Sequence, residues 1–167
     1  MTKELITILL IFGTLTCSGQ LYKYNGTDII KNKSLDTVIK TLDEQDLKRY
    51  TTKKGIPKIV KKTIKLWGDK FSIVNPGQDY QASDIVTGQP RRQLIAIFKN
   101  ENYFIMTYKH GGRGHHEHIM YFQINKDKII DFWVGYGGDE NEMSDKQKIK
   151  NWLTTKRDNL QTNLVEY

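Results

Sequence analysis

A length of 167 residues, with 38% hydrophobic and 11% aromatic side chains, suits one globular domain with a real core. The only cysteine, Cys17, lies near the N-terminus, so the chain behind it can hold no disulfide, no cysteine nucleophile and no thiolate-ligated zinc. The net charge of +7 is unevenly spread: residues 20–70 carry thirteen Lys/Arg against six Asp/Glu, whereas residues 71–167 carry twelve of each.

The first element reads as a targeting leader. Lys3, partly offset by Glu4, precedes an apolar run over residues 5–15 and then the small residues Cys17, Ser18 and Gly19. That run is shorter than the roughly 20 residues needed to span a bilayer and matches the apolar part of a signal peptide. The expectation is a signal peptide over 1–19, a single globular α+β domain over 20–167, and an exported, periplasmic or secreted bacterial-type protein. Cys17 also offers the acylation site of a lipoprotein, although Thr14 and Thr16 stand where leucine and a small residue are usual. Such a lipid anchor is the sole membrane attachment expected. For an exported chain, the basic first third points away from nucleic acid and toward anionic headgroups, acidic polysaccharide or an acidic protein partner.

Two helices come next. "LYKYNGTDII" reads as a small hairpin or extended lead-in turning at Asn25-Gly26. Ser34 reads as an N-cap for a helix with Leu35, Val38, Ile39 and Leu42 on its inner stripe, the pattern drifting on through Leu47 and Tyr50 after a break near Asp43. Pro57 opens a second helix whose apolar stripe is Ile59, Val60, Thr63, Ile64 and Trp67, with Gly68 as its stop. Lys58, Lys61, Lys62 and Lys65 form its other face, which is first of all a solvated face and second a docking surface for anions.

From residue 71 the period becomes extended. "FSIV" ends in Asn75-Pro76-Gly77, a type II turn. The polar stretch 78–91 carries Asp79, Tyr80, Asp84 and Arg91 with no evident element of its own, a length that often serves function. Four strands then form a meander: "RQLIAIFK", "YFIMTYK", "HEHIMYFQI" and "KIIDFWVGY". Closing each hairpin at its tightest register pairs Lys109 with His116. One face then gathers Leu94, Ala96, Phe98, Tyr103, Ile105, Thr107, His118, Met120, Phe122 and Trp133. The other gathers Ile95, Ile97, Phe104, Met106, Ile119, Tyr121, Ile130, Phe132 and Val134. Both faces are apolar and both need cover. A last helix begins at Ser144, with Gln147 completing a capping box and Ile149, Trp152, Leu153 and Leu160 facing inward. The expected class is α+β: N-terminal helices, a curled antiparallel four-to-five-stranded meander and a C-terminal helix. This is broadly similar in layout to cystatin-like and nuclear-transport-factor-like folds, and layout alone implies no function.

All four histidines fall within "HGGRGHHEH", residues 110–118. As a metal site, His110, His116 and His118 are the ligands and zinc the metal, with Asp84 the candidate for a missing carboxylate. Asp131 shares their face in this register but lies about 13 Å from His118, too far to join them. As an anion site, the amides of 111–114 form a nest and Arg113 grips a carboxylate or sulfate, with Arg91 or Arg92 approaching from the long loop. As a catalytic site, a histidine acts as general base with Asp84 or Asp131 behind it, although no nucleophile motif accompanies it. The plainest reading is a polar hairpin tip facing water. "GGDENEMSD" fails as a calcium loop because Met143 stands where an oxygen ligand belongs.

The sequence therefore suggests a non-enzymatic domain with no cofactor, binding a small anionic ligand or an acidic partner through Arg113, His116, His118, Arg91 and Asp84. The first alternative is a metal- or histidine-dependent hydrolase carrying zinc. The second is an inhibitor or immunity-type protein docking an acidic partner on its lysine face.

Overall fold

The computed structural model describes residues 33–66, 71–85, 88–112 and 115–159. The expected leader, the Asn25-Gly26 hairpin, Trp67, Gly68, Arg113 and Leu160 lie outside the described residues. The elements are α1 (Lys33–Glu44), β1 (Lys48–Tyr50), α2 (Lys58–Leu66), β2 (Ile73–Val74), β3 (Arg92–Lys99), β4 (Tyr103–His110), β5 (His116–Asn125), β6 (Lys128–Tyr136), α3 (Glu140–Met143) and α4 (Lys146–Thr155). Short 3-10 turns at Lys53–Gly55 and Arg157–Asn159 complete the set. The class is α+β, with helices before and after an antiparallel sheet. Among the described residues no helix is long and apolar enough to cross a membrane.

The sheet runs β1-β3-β4-β5-β6, and the meander expected from the alternating pattern forms its centre. Two short strands extend it. β1 pairs antiparallel with the far end of β3 (Lys48 opposite Lys99), and β2 pairs parallel with its beginning (Ile73 opposite Arg92). Helix α1 stops at Glu44, at the break expected near Asp43, and beyond it Leu47 and Tyr50 belong to an edge strand and its approach, not to a second helical stretch. That helix also starts at Lys33, one residue before the expected cap at Ser34. The turn at 75–78 is as expected: Gly77 has φ +76°, and the Gln78 amide donates to the Asn75 carbonyl at 3.2 Å.

Helices cover both faces. On one, Leu35, Val38 and Leu42 of α1 and Ile149, Trp152 and Leu153 of α4 pack on Ile95, Ala96, Phe98, Ile105, Ile119, Tyr121 and Trp133. On the other, Val60 and Ile64 of α2, with Ile56 and Ile73, pack on Leu94, Ile97, Phe104, Met106, Tyr108, Met120, Phe122 and Val134. A two-sided core explains why both faces read as apolar.

The register differs from the tightest closure by one residue. His110, not Lys109, lies opposite His116, and Gln123, not Phe122, lies opposite Asp131. A one-residue slip turns every side chain of a strand to the other face. Met120 and Phe122 therefore join Met106 and Phe104, while Tyr121 joins Ile105 and Trp133, which share a face as expected, under α1 and α4. Irregularities between Leu94 and Ala96 and between Gln123 and Ile124 shift the register further. Leu94 crosses to the α2 side, and Ile130, expected inside, is 54% exposed.

The C-terminal caps are two. Asp139 and Glu142 make a capping box for α3, and the Asp145 carboxylate accepts from the Gln147 and Lys148 amides to start α4. The cap of α4 thus falls one residue after the expected Ser144, and Asp139, Glu142 and Asp145 of the acidic run serve as capping groups.

Candidate metal centre at the sheet rim

Three of the four histidines meet on the α2 side of the sheet, at the end where β4 turns into β5. His110 closes β4 and lies directly across from His116, which opens β5. Residues opposite each other in an antiparallel pair share a face, and His118, two residues on, returns to it. The rings of His110 and His116 lie 5.6 Å apart, those of His110 and His118 5.2 Å, and those of His116 and His118 4.7 Å. One donor nitrogen from each lies within 4.8 Å of the other two. Corners of a triangle that size sit roughly 2.8 Å from its centre, against about 2.0–2.1 Å for a zinc–imidazole bond, so small side-chain rotations would complete coordination.

The surroundings prepare one ring in particular. His118 is buried beneath the half-buried His110 and His116. Its pKa falls to about 2, first because burial penalises the cation, then because His116, His110 and Arg92 add positive potential. Neutral imidazole is the form that ligates metal. Tyr108 stacks on it at 5.0 Å and 9°, and Tyr136 lies 5.5 Å from His116 and 5.9 Å from His118.

The connecting loop is held by backbone. The Gly111 amide donates to the Arg91 carbonyl at 2.9 Å, and the Gln81 amide donates to that of Pro90 at 2.9 Å. A Cβ on Gly111 would stand 1.9 Å from the Gln81 carbonyl oxygen, so only glycine lets the long loop pass this close. Gly112 takes φ +122°.

The site residues expected from sequence divide accordingly. His110, His116 and His118 come together. Arg113 lies outside the described residues. Arg91 has an exposed side chain and touches the hairpin through its carbonyl. Asp84, exposed on the long loop, does not join the three-histidine group. Asp131 lies opposite Gln123, and alternation along β5 puts it on the face away from His118, not on the shared face the tight register implied. Burial raises its pKa, and a backbone hydrogen bond at Phe132 opposes the rise.

Tyr108 is the side chain that sequence reasoning left out, and Arg92, expected to approach from the long loop, is instead the first residue of β3. Arg92, 4% exposed, lies opposite His110 in β3 with its guanidinium 4.6 Å from the Phe71 ring centre. Tyr108 lies opposite His118. Placing His110 across from His116 puts Tyr108 across from His118, and that was the signal that would have found it.

The fourth histidine works elsewhere. His115 pairs through Nε2 with the Glu117 carboxylate at 3.3 Å and meets the Tyr80 hydroxyl through Nδ1 at 3.2 Å. Glu117, 7% exposed, belongs to the α4 side by alternation, where its cross-strand neighbour Lys109 pairs with Glu140 at 2.7 Å. Burial raises the Tyr80 pKa, Lys109 pulls it back, and Glu117 and Glu140 add to the rise. This array pins the long loop to β5. No family model matches the chain, and neither a curated protein nor a solved structure similar to it was found.

Proposed function

We propose that this chain is a transition-metal-binding domain in which His110, His116 and His118 hold one zinc-class ion. The observation that carries the reading is the convergence of one donor nitrogen from each of the three imidazoles within 4.8 Å of one another, on two adjacent strands of a packed sheet. Imidazole donors favour zinc, copper, nickel or cobalt over magnesium and calcium, which want oxygen. The groups that converge include no carboxylate. A bound divalent ion therefore keeps its full charge and an open position, which water or a small anion completes. That agrees with the small anionic ligand expected from sequence, and it supports binding of such a ligand at the metal as the role; among the described residues no carboxylate joins the three histidines. With an export leader over 1–19, the domain would meet its metal outside the cytoplasm.

The test is zinc titration of the full chain by calorimetry, beside His110→Ala/His116→Ala. The expected result is one equivalent bound by the native protein and affinity reduced at least tenfold in the variant, about 1.4 kcal/mol or more. Equal zinc binding by both proteins would overturn the reading.

A further inference from the structure

A second site lies on the same side of the sheet, away from the histidines. Between α2 and β2 the chain leaves a recess of about 760 Å³. That volume falls in the range of roughly 300–1,000 Å³ found for small-molecule sites. Its walls include Ile56, Ile64, Phe71 and Ile73, and Pro90 closes one side. Lys53, Lys54, Lys61 and Lys65 also line it, and no described lining residue is acidic. All four lysines are exposed, and among the described residues none pairs with a carboxylate. Lys61 and Lys65 stand one helical turn apart, a like-charge spacing that destabilises a helix unless an anion lies between. Lys53 is held at the mouth by donating to the Ile73 carbonyl at 3.3 Å. An apolar floor under a cationic rim matches a molecule with a hydrocarbon body and one anionic end.

We propose that this recess binds a free fatty acid. The acyl chain lies against Ile56, Ile64, Phe71 and Ile73, and the carboxylate sits among Lys53, Lys61 and Lys65. The lysine face of α2 then has a task beyond solubility. The site is separate from the three-histidine centre, although Phe71 packs edge-on against Tyr108 at 5.6 Å, two rings from His118.

The experiment is calorimetric titration of the full chain with laurate below its micelle concentration, beside decanoate, octanoate and dodecyltrimethylammonium. Laurate should bind once per chain, and each two-carbon shortening should weaken binding about fifteenfold, since each buried methylene contributes roughly fourfold. The cationic amphiphile should bind at least tenfold more weakly. Lys61→Glu/Lys65→Glu, confined to exposed positions, should weaken laurate about tenfold while unfolding at the native temperature. Absence of saturable laurate binding overturns the proposal. So does equal binding of the cationic amphiphile, undiminished binding by the charge-reversed variant, or preference for phosphatidylglycerol vesicles over monomeric laurate.

Discussion

Tyr108 lies flat against His118, their ring centres 5.0 Å apart and their planes inclined by 9°. Both are buried, so the phenol ring acts as a backstop that fixes where the imidazole points. Tyr108→Ala should leave a void behind His118 and reduce stability by about 3–5 kcal/mol, as large-to-small changes in packed cores do. Zinc affinity should fall with it, because a ligand free to rotate must be reordered on binding. Tyr108→Phe keeps the ring and should restore most of both, measured by urea unfolding and zinc titration.

Gly111 sets how closely the long loop approaches the hairpin. Gly111→Ala places a methyl group 1.9 Å from the Gln81 carbonyl oxygen, a backbone atom that cannot rotate away. The expected loss is about 1–3 kcal/mol, the usual range for overpacking. Thermal unfolding checks it, and an unchanged midpoint would mean that the loop is not held where described.

The last helix depends on its cap. Asp145→Ala removes the acceptor for the Gln147 and Lys148 amides and should cost about 1 kcal/mol in urea unfolding. Asp145→Asn retains an acceptor and should recover most of it.

Tyr121 gives a pH dependence of definite sign. Burial beneath α1 pushes its pKa up to about 12, against an opposing hydrogen bond with Thr41. The unfolded chain releases this proton near pH 10, whereas the folded chain keeps it until about pH 12. The contribution is complete below pH 10 and is lost as pH rises toward 12. Urea midpoints measured from about pH 9 to 11.5 should decline in the native protein and decline less in Tyr121→Phe. Parallel slopes would contradict it.

How far the sequence went is clear from particular residues. Apolar runs between short polar turns from Leu94 to Val134 exposed the four meander strands, because a strand buried on both faces reads as a near-continuous apolar run. β2 lies within the extended stretch "FSIV" read from the sequence, whereas β1, three residues long, carries too few positions to show a period. The register was hidden for a different reason. A hairpin loop with glycines at 111, 112 and 114 can close with Lys109 or His110 opposite His116, and nothing local separates the two. The choice is made at a distance, where the Thr107 hydroxyl donates to the Met143 carbonyl at 2.8 Å and Tyr121 and Trp133 are covered by α1 and α4. That choice moves His110 from the loop into the strand and sets Tyr108 opposite His118, while the irregularity between Leu94 and Ala96 sets Arg92 opposite His110. The pair His116 and His118 was legible from spacing alone, whereas their company was not.

Zinc K-edge X-ray absorption on the protein loaded with one equivalent of zinc tests the shared coordination most directly. The account predicts three nitrogen scatterers at about 2.0–2.1 Å with the outer-shell pattern of imidazole, plus one light ligand from solvent. A first shell of oxygen alone, or one with a single imidazole, would contradict it.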